Sequence, residues 1–143
     1  MILLKNSILI FLILAITGCA NSVSETQLNQ LNGYWEIEKV SFPDGQTKEY
    51  TINETVDYIQ LDSLTGFRKK MKPTFEGTYI TSDDAELFTI FKLEDSYIIQ
   101  YKANGSMDWT ENLIAVSANS FSVRTSENVT YTYKRYEPIN ITE

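Results

Sequence analysis

Leu87-Phe88-Thr89-Ile90-Phe91-Lys92-Leu93-Glu94-Asp95-Ser96-Tyr97-Ile98-Ile99-Gln100-Tyr101-Lys102-Ala103 reads as two β-strands joined by a turn at Glu94-Asp95. Aromatic and β-branched residues dominate both runs, and Tyr97, Ile99 and Tyr101 fall on one face at the strand period of two. The same texture extends in both directions. From Gly33 onward, short runs rich in Tyr, Phe, Ile, Val and Thr are separated by turn chemistry at Pro43-Asp44-Gly45, at 62–66, Ser82-Asp83-Asp84, Asn104-Gly105 and 117–119. The predicted strands are 34–42, 49–52, 56–61, 67–72, 75–81, 87–93, 97–103, 109–116, 121–125 and 129–136. Nearly every connection is hairpin length, and closure removes the exposed edges of an open sheet. The expected fold is therefore all-β, an antiparallel up-and-down barrel of about eight to ten strands.

Two local features refine that expectation. In the first strand Trp35 and Ile37 share a face while Val40 and Phe42 fall on the other, so a bulge near Glu38 or Lys39 is expected to re-phase it. Ahead of it, Ser24 followed by Glu25, Leu28 and Leu31 predicts a short capped helix that stops at Gly33 and plugs or flanks the sheet. No Pro, Ser or Gly tract is long enough to separate two domains, and there is no internal repeat.

Composition removes several functions. Histidine is absent, which takes away the usual general base near neutral pH, the commonest zinc ligand and every Ser-His or Cys-His pair. The net charge of −7 disfavours contact with phosphate backbones and with anionic membrane surfaces. Cys19 is the single cysteine, so no intramolecular disulfide supports the fold. The predicted function is non-enzymatic, with no cofactor, no metal and no nucleic-acid partner.

The N-terminus explains that cysteine. Lys5 precedes an unbroken apolar run from position 8 to 16, too short to span a bilayer as a helix and suited to a secretory signal. Ile16-Thr17-Gly18-Cys19 resembles the lipobox of bacterial lipoproteins. In that family the cysteine takes a diacylglyceryl thioether, becomes the mature N-terminus and is usually acylated on its amine, with palmitate-type chains anchoring the protein. The implied organisation is a removed signal peptide over 1–18, a lipidated Cys19 with a short tether over 19–24, and one barrel domain over 25–143. Loss of Lys5 leaves eleven basic against nineteen acidic residues, a balance of −8, so the anchoring is assigned to lipid rather than to charge. The expected location is the bacterial cell envelope. Ala20 stands where some inner-membrane lipoproteins carry Asp, so the outer membrane is preferred.

Leu31-Asn32-Gly33-Tyr34-Trp35 resembles the Gly-x-Trp signature that opens the first strand of lipocalins, and Tyr131-Thr132-Tyr133-Lys134-Arg135 resembles the last strand of the small lipocalin-like lipoproteins of bacterial envelopes. The resemblance spans roughly 28–137 and implies an up-and-down barrel preceded by a short helix. It assigns structural roles to Gly33, Trp35 and Arg135, with the arginine packed across the indole at the closed end and its charge met by carbonyls.

Candidate ligand-binding residues follow from face sharing. Phe67-Arg68-Lys69-Lys70-Met71-Lys72 holds four of the eleven mature basic residues, and Arg68, Lys70 and Lys72 project together as an electropositive stripe. The ordinary reading of that stripe is a solvated strand whose lysines discourage edge pairing. Trp109 and Glu111 share a face with Met107 and Leu113, so an inward tryptophan brings the carboxylate inward too. Tyr79, Tyr97, Tyr101 and Tyr133 are expected to line the same interior. The acidic groups Asp83-Asp84 with Glu86, and Glu54 with Asp57, read as solvated turns rather than cation sites. Two functions remain open: a membrane-tethered barrel binding a small apolar or amphipathic ligand, or a filled barrel whose outer surface or loops bind an envelope protein, as an accessory or an enzyme inhibitor.

Overall fold

Alternation of apolar and polar positions organises each strand of the computed structural model, which describes residues 22–102 and 108–138. In chain order the strands are β1 (Gly33–Ser41), β2 (Thr47–Glu49), β3 (Val56–Asp62), β4 (Thr65–Pro73), β5 (Tyr79–Thr81), β6 (Glu86–Leu93), β7 (Ser96–Lys102), β8 (Trp109–Val116), β9 (Ser120–Thr125) and β10 (Thr130–Arg135). All pairings are antiparallel between neighbours in the sheet, and β10 returns to pair with β1. Eight of the strands, β1, β3, β4, β6, β7, β8, β9 and β10, form the closed ring.

The other two strands are continuations of ring strands rather than further staves. β1 pairs with β3 through Gly33–Trp35 and with β2 through Lys39–Ser41. β4 pairs with β6 near Thr65–Arg68 and with β5 near Met71–Pro73. Two ring positions are thus served by two segments each, β3 with β2 and β6 with β5. Ten apolar runs therefore make an eight-stranded barrel.

The register of β1 against β10 slips between Ile37 and Lys39, as two residues of one strand oppose one of the other. The slip carries Val40 to the side of Trp35 and Ile37, opposite Tyr131, and Val40 is buried. A second slip between Leu113 and Ala115 on β8 turns Val116 inward after Leu113. Without these two irregularities strict alternation would expose both valines.

Helix 25–31 is a single 3₁₀ segment that closes one end of the barrel. Gln27 Oε1 accepts from the Ser24 backbone N–H at 2.8 Å, and Gln27 Nε2 donates to the Val116 carbonyl at 3.2 Å. Leu28 and Leu31 point into the core, each contributing about 1.5–3 kcal/mol by leaving water. Beyond them the lower barrel is filled. Trp35 meets Phe121 edge-on at 4.7 Å, and Phe121 stacks on Tyr133 at 4.6 Å. Ile59, Ile90, Ile99, Leu113 and Val123 complete the packing.

Candidate functional site

The closed end shows how the sequence seats its first strand. Gly33 has φ +119°, and a Cβ there would run into Arg135 Nη1. The Arg135 guanidinium lies 3.7 Å above the Trp35 ring. It donates to the carbonyls of Asn32 at 2.6 Å, Gln30 at 2.8 Å and Ala118 at 3.0 Å, while Trp35 Nε1 donates to the Leu31 carbonyl at 2.7 Å. Every donor there faces a backbone oxygen, so the group ties helix to barrel.

Above the filled core sits a buried charged cluster. Cross-strand pairing places Asp57 opposite Lys70 and Arg68 opposite Ile59 on β3 and β4, and Glu111 opposite Ile99 on β7 and β8. Arg68 Nη2 meets Asp57 Oδ2 at 2.9 Å, and Arg68 Nη1 donates to the Tyr101 hydroxyl at 3.3 Å. The same Nη1 is 4.0 Å from Glu111 Oε2, and the guanidinium lies 4.9 Å from the Tyr133 ring centre. Lys70 Nζ reaches Asp57 Oδ1 at 2.6 Å from a largely exposed side chain.

These contacts displace the acid groups in opposite directions. Burial works to raise the Asp57 carboxyl, yet Arg68 and Lys70 together hold it below its ordinary value. At Glu111 burial wins over the attraction of Arg68 and the Tyr101 hydroxyl, with Glu86 and Asp57 pushing the same way as burial, so its carboxyl is raised. Burial likewise lifts the hydroxyls of Tyr101 and Tyr133, against the pull of Arg68. Glu111 Oε2 is buried and has no hydrogen-bond partner. One guanidinium thus serves two carboxylates unequally, satisfying Asp57 closely and Glu111 at a distance.

Toward the open end Trp109 stacks on Tyr101 at 4.9 Å with the rings nearly parallel. A cavity of about 420 Å³ opens beside it at the rim, bounded by Trp109, Tyr131, Thr125, Val129, Asp108 and Glu127. A second concavity of about 440 Å³ lies on the outer wall, where Phe67 and Leu87 flank Gly66.

The candidates from sequence separate accordingly. Arg68, Tyr101 and Glu111 come together in the cluster, and Trp109 lies directly above them. Arg68 is 7% exposed, so it is no part of a solvated stripe. It lies on the barrel's inner face and meets Asp57 there at 2.9 Å, while Lys70 reaches the same carboxylate from a largely exposed side chain. Lys70 sits at the edge of the cluster, and Lys72, past the end of the pairing with β3, is exposed. Tyr79 stands apart from the interior: it stacks on Tyr34 at 4.4 Å on the outer wall. Asp57, 3% exposed within β3, is not part of a solvated turn. Its position two residues before Ile59 and four before Leu61 is the signal that identifies it as inward. Tyr131 and Glu127 carry no comparable mark, since rim positions depend on where each strand stops. Cys19 and Met107 lie outside the described residues.

Among the described residues no helix is long and apolar enough to cross a membrane, and no group of three acidic, cysteine or histidine residues is placed to hold a metal ion. No family model matches the sequence, and no curated protein matches it significantly. Among solved structures, one of apocrustacyanin C1 aligns with a TM-score of 0.44 at 12% identity, covering 87% of this chain and 75% of that one. By its own strand pairing, the closed eight-stranded antiparallel barrel with a short helix over one end has a lipocalin-like fold.

Proposed function

We propose that this protein is a non-enzymatic, membrane-anchored lipoprotein of the bacterial envelope whose barrel binds a small apolar or amphipathic molecule at its open end. The observation that carries the reading is the rim cavity of about 420 Å³ between Trp109 and Tyr131, above the Arg68 cluster. Its volume falls in the ordinary range for small-molecule sites, and aromatic walls with a few polar groups are what such sites use. The lower barrel is filled by Trp35, Phe121 and Tyr133, so the ligand is confined to the mouth. Anchoring is read from Ile16-Thr17-Gly18-Cys19, and the outer membrane from Ala20. In this reading the chain enters at the helix over the closed end, so the mouth faces away from the bilayer.

Native mass spectrometry of protein purified from its own membrane tests the reading in one measurement. A mass increment of acyl chains on Cys19 and a releasable small molecule are expected. Cys19→Ser is expected to move the protein from the membrane to the soluble fraction, because the charge balance supplies no other attachment. Retention of the Ser variant in the membrane would overturn the anchoring.

The outer-wall concavity beside Phe67, with Leu87 exposed in it, favours a second reading, in which an envelope protein docks on the barrel wall. One stoichiometric protein in a pull-down, with no small molecule in the native spectrum, would select it over ligand binding.

A further inference from the structure

The rim cavity has a charge character that the ligand-binding reading leaves open. Its charged boundary is acidic: Asp108 directly precedes β8 and Glu127 stands in the turn from β9 to β10. No lysine or arginine bounds it among the described residues. The cations nearest the interior are already engaged, Arg68 with Asp57 at 2.9 Å and Lys70 with the same carboxylate at 2.6 Å. An anionic headgroup in the cavity would meet two carboxylates and no free counter-charge.

The aromatic walls have the same preference. Tyr101 covers one face of the Trp109 indole, and Trp109 borders the cavity while Tyr101 does not. Tyr131 adds a second ring. Ring faces carry negative potential, so two rings beside two carboxylates make a setting that attracts a cation and repels an anion. Behind this wall Glu111 lies on the Trp109 face of β8, paired across the ladder with Thr125 of the cavity lining. Its buried Oε2 has no hydrogen-bond partner, and its nearest cation is 4.0 Å away.

We infer that the rim cavity selects cationic amphiphiles, taking an ammonium group between Trp109, Tyr131, Asp108 and Glu127 with its apolar tail along Val129. The inference rests on the ligand-binding reading above and adds the headgroup class. Ammonium recognition by aromatic rings with a flanking carboxylate needs no reorganisation here, since the rings are held by strands rather than by loops.

The test uses three probes with one eight-carbon chain and different heads: octyltrimethylammonium, octanoate and octanol. Each is titrated calorimetrically into the purified full-length protein, with Trp109 fluorescence as a second readout. Octyltrimethylammonium is expected to bind at least about tenfold more tightly than octanoate. Asp108 and Glu127 are exposed, so Asp108→Asn with Glu127→Gln keeps the fold. That pair is expected to weaken the ammonium probe about five- to tenfold and leave octanol unchanged. Glu76→Gln with Asp83→Asn removes two equally exposed charges elsewhere and is expected to change nothing, which separates the site from the general negative charge of the chain. Octanoate binding as tightly as the ammonium probe, or equal weakening by the distant pair, overturns the charge selectivity alone. Failure of all three probes overturns the ligand-binding reading as well.

Discussion

Arg68 is the residue on which the interior electrostatics turn. Arg68→Met leaves Asp57 with only the largely exposed Lys70 and takes from Glu111 its cation at 4.0 Å, so it is expected to destabilise the protein by about 3–5 kcal/mol in urea unfolding. A loss below about 1 kcal/mol would show that water reaches Asp57 and pays the solvation instead. Glu111 adds a pH dependence whose sign follows from its raised carboxyl. It holds its proton more readily folded than unfolded, so its contribution is fully present below its ordinary value of 4.5 and is lost as pH rises through the raised value. Asp57 runs the other way: its contribution is full above 3.8 and is lost as pH falls through the depressed value. Glu111→Gln is therefore expected to gain on the wild type as pH rises from 4.5 through the raised value, read from urea midpoints. A difference that stays flat over that range would mean Glu111 is solvated. The inward reading of Glu111 and Trp109 was available from their shared strand face, but the partner of Glu111 was not, because Arg68 lies 43 positions away and reaches it only across the barrel.

Elements in this fold are joined by a few side chains that do two jobs. Leu28 and Leu31 belong to a helix too short to be stable alone, and their burial over the barrel end is what holds it. Leu28→Ala is expected to cost about 2–5 kcal/mol, measured by thermal or urea unfolding, with near-native far-ultraviolet dichroism below the transition. Gly33 connects that helix to β1 with φ +119°, a conformation that L residues rarely adopt, and Arg135 occupies the space a side chain would need. Gly33→Ala is expected to cost about 1–3 kcal/mol, through strain at the joint and displacement of Arg135 from Trp35. The helix, its Ser24 start and the β1 bulge were all legible, because each has a local signature in spacing or polarity. The 3₁₀ form of the helix was not, since the choice between helical types depends on the packing of Leu28 and Leu31 rather than on propensity.

Closure through the ladder of β10 on β1 sets the behaviour of the whole molecule. The ring is not equally strong around its circumference: β4 meets β6 only between Thr65 and Arg68, and among the described residues β5 pairs with β4 alone. In native-state hydrogen exchange the amides of β5 are expected to exchange first and those of β9 and β10 among the last. Slow exchange in β5 would mean that the stack of Tyr79 on Tyr34 holds that hairpin to the wall. Sequence alone determined the all-β class, the ten runs, the hairpin connections, the bulge in β1 and the short helix before it, since turns and period-two alternation are properties of neighbouring residues. Only the tertiary structure decided that ten runs make eight staves, that Arg68 of β4 is buried in the interior while Lys70 and Lys72 stay exposed, that Tyr79 lies outside and that Asp57 belongs to the interior. Each of these depends on which strands become neighbours when the ring closes, and the pairing of Asp57 with Arg68, or of Tyr34 with Tyr79, exists only once distant strands are brought side by side.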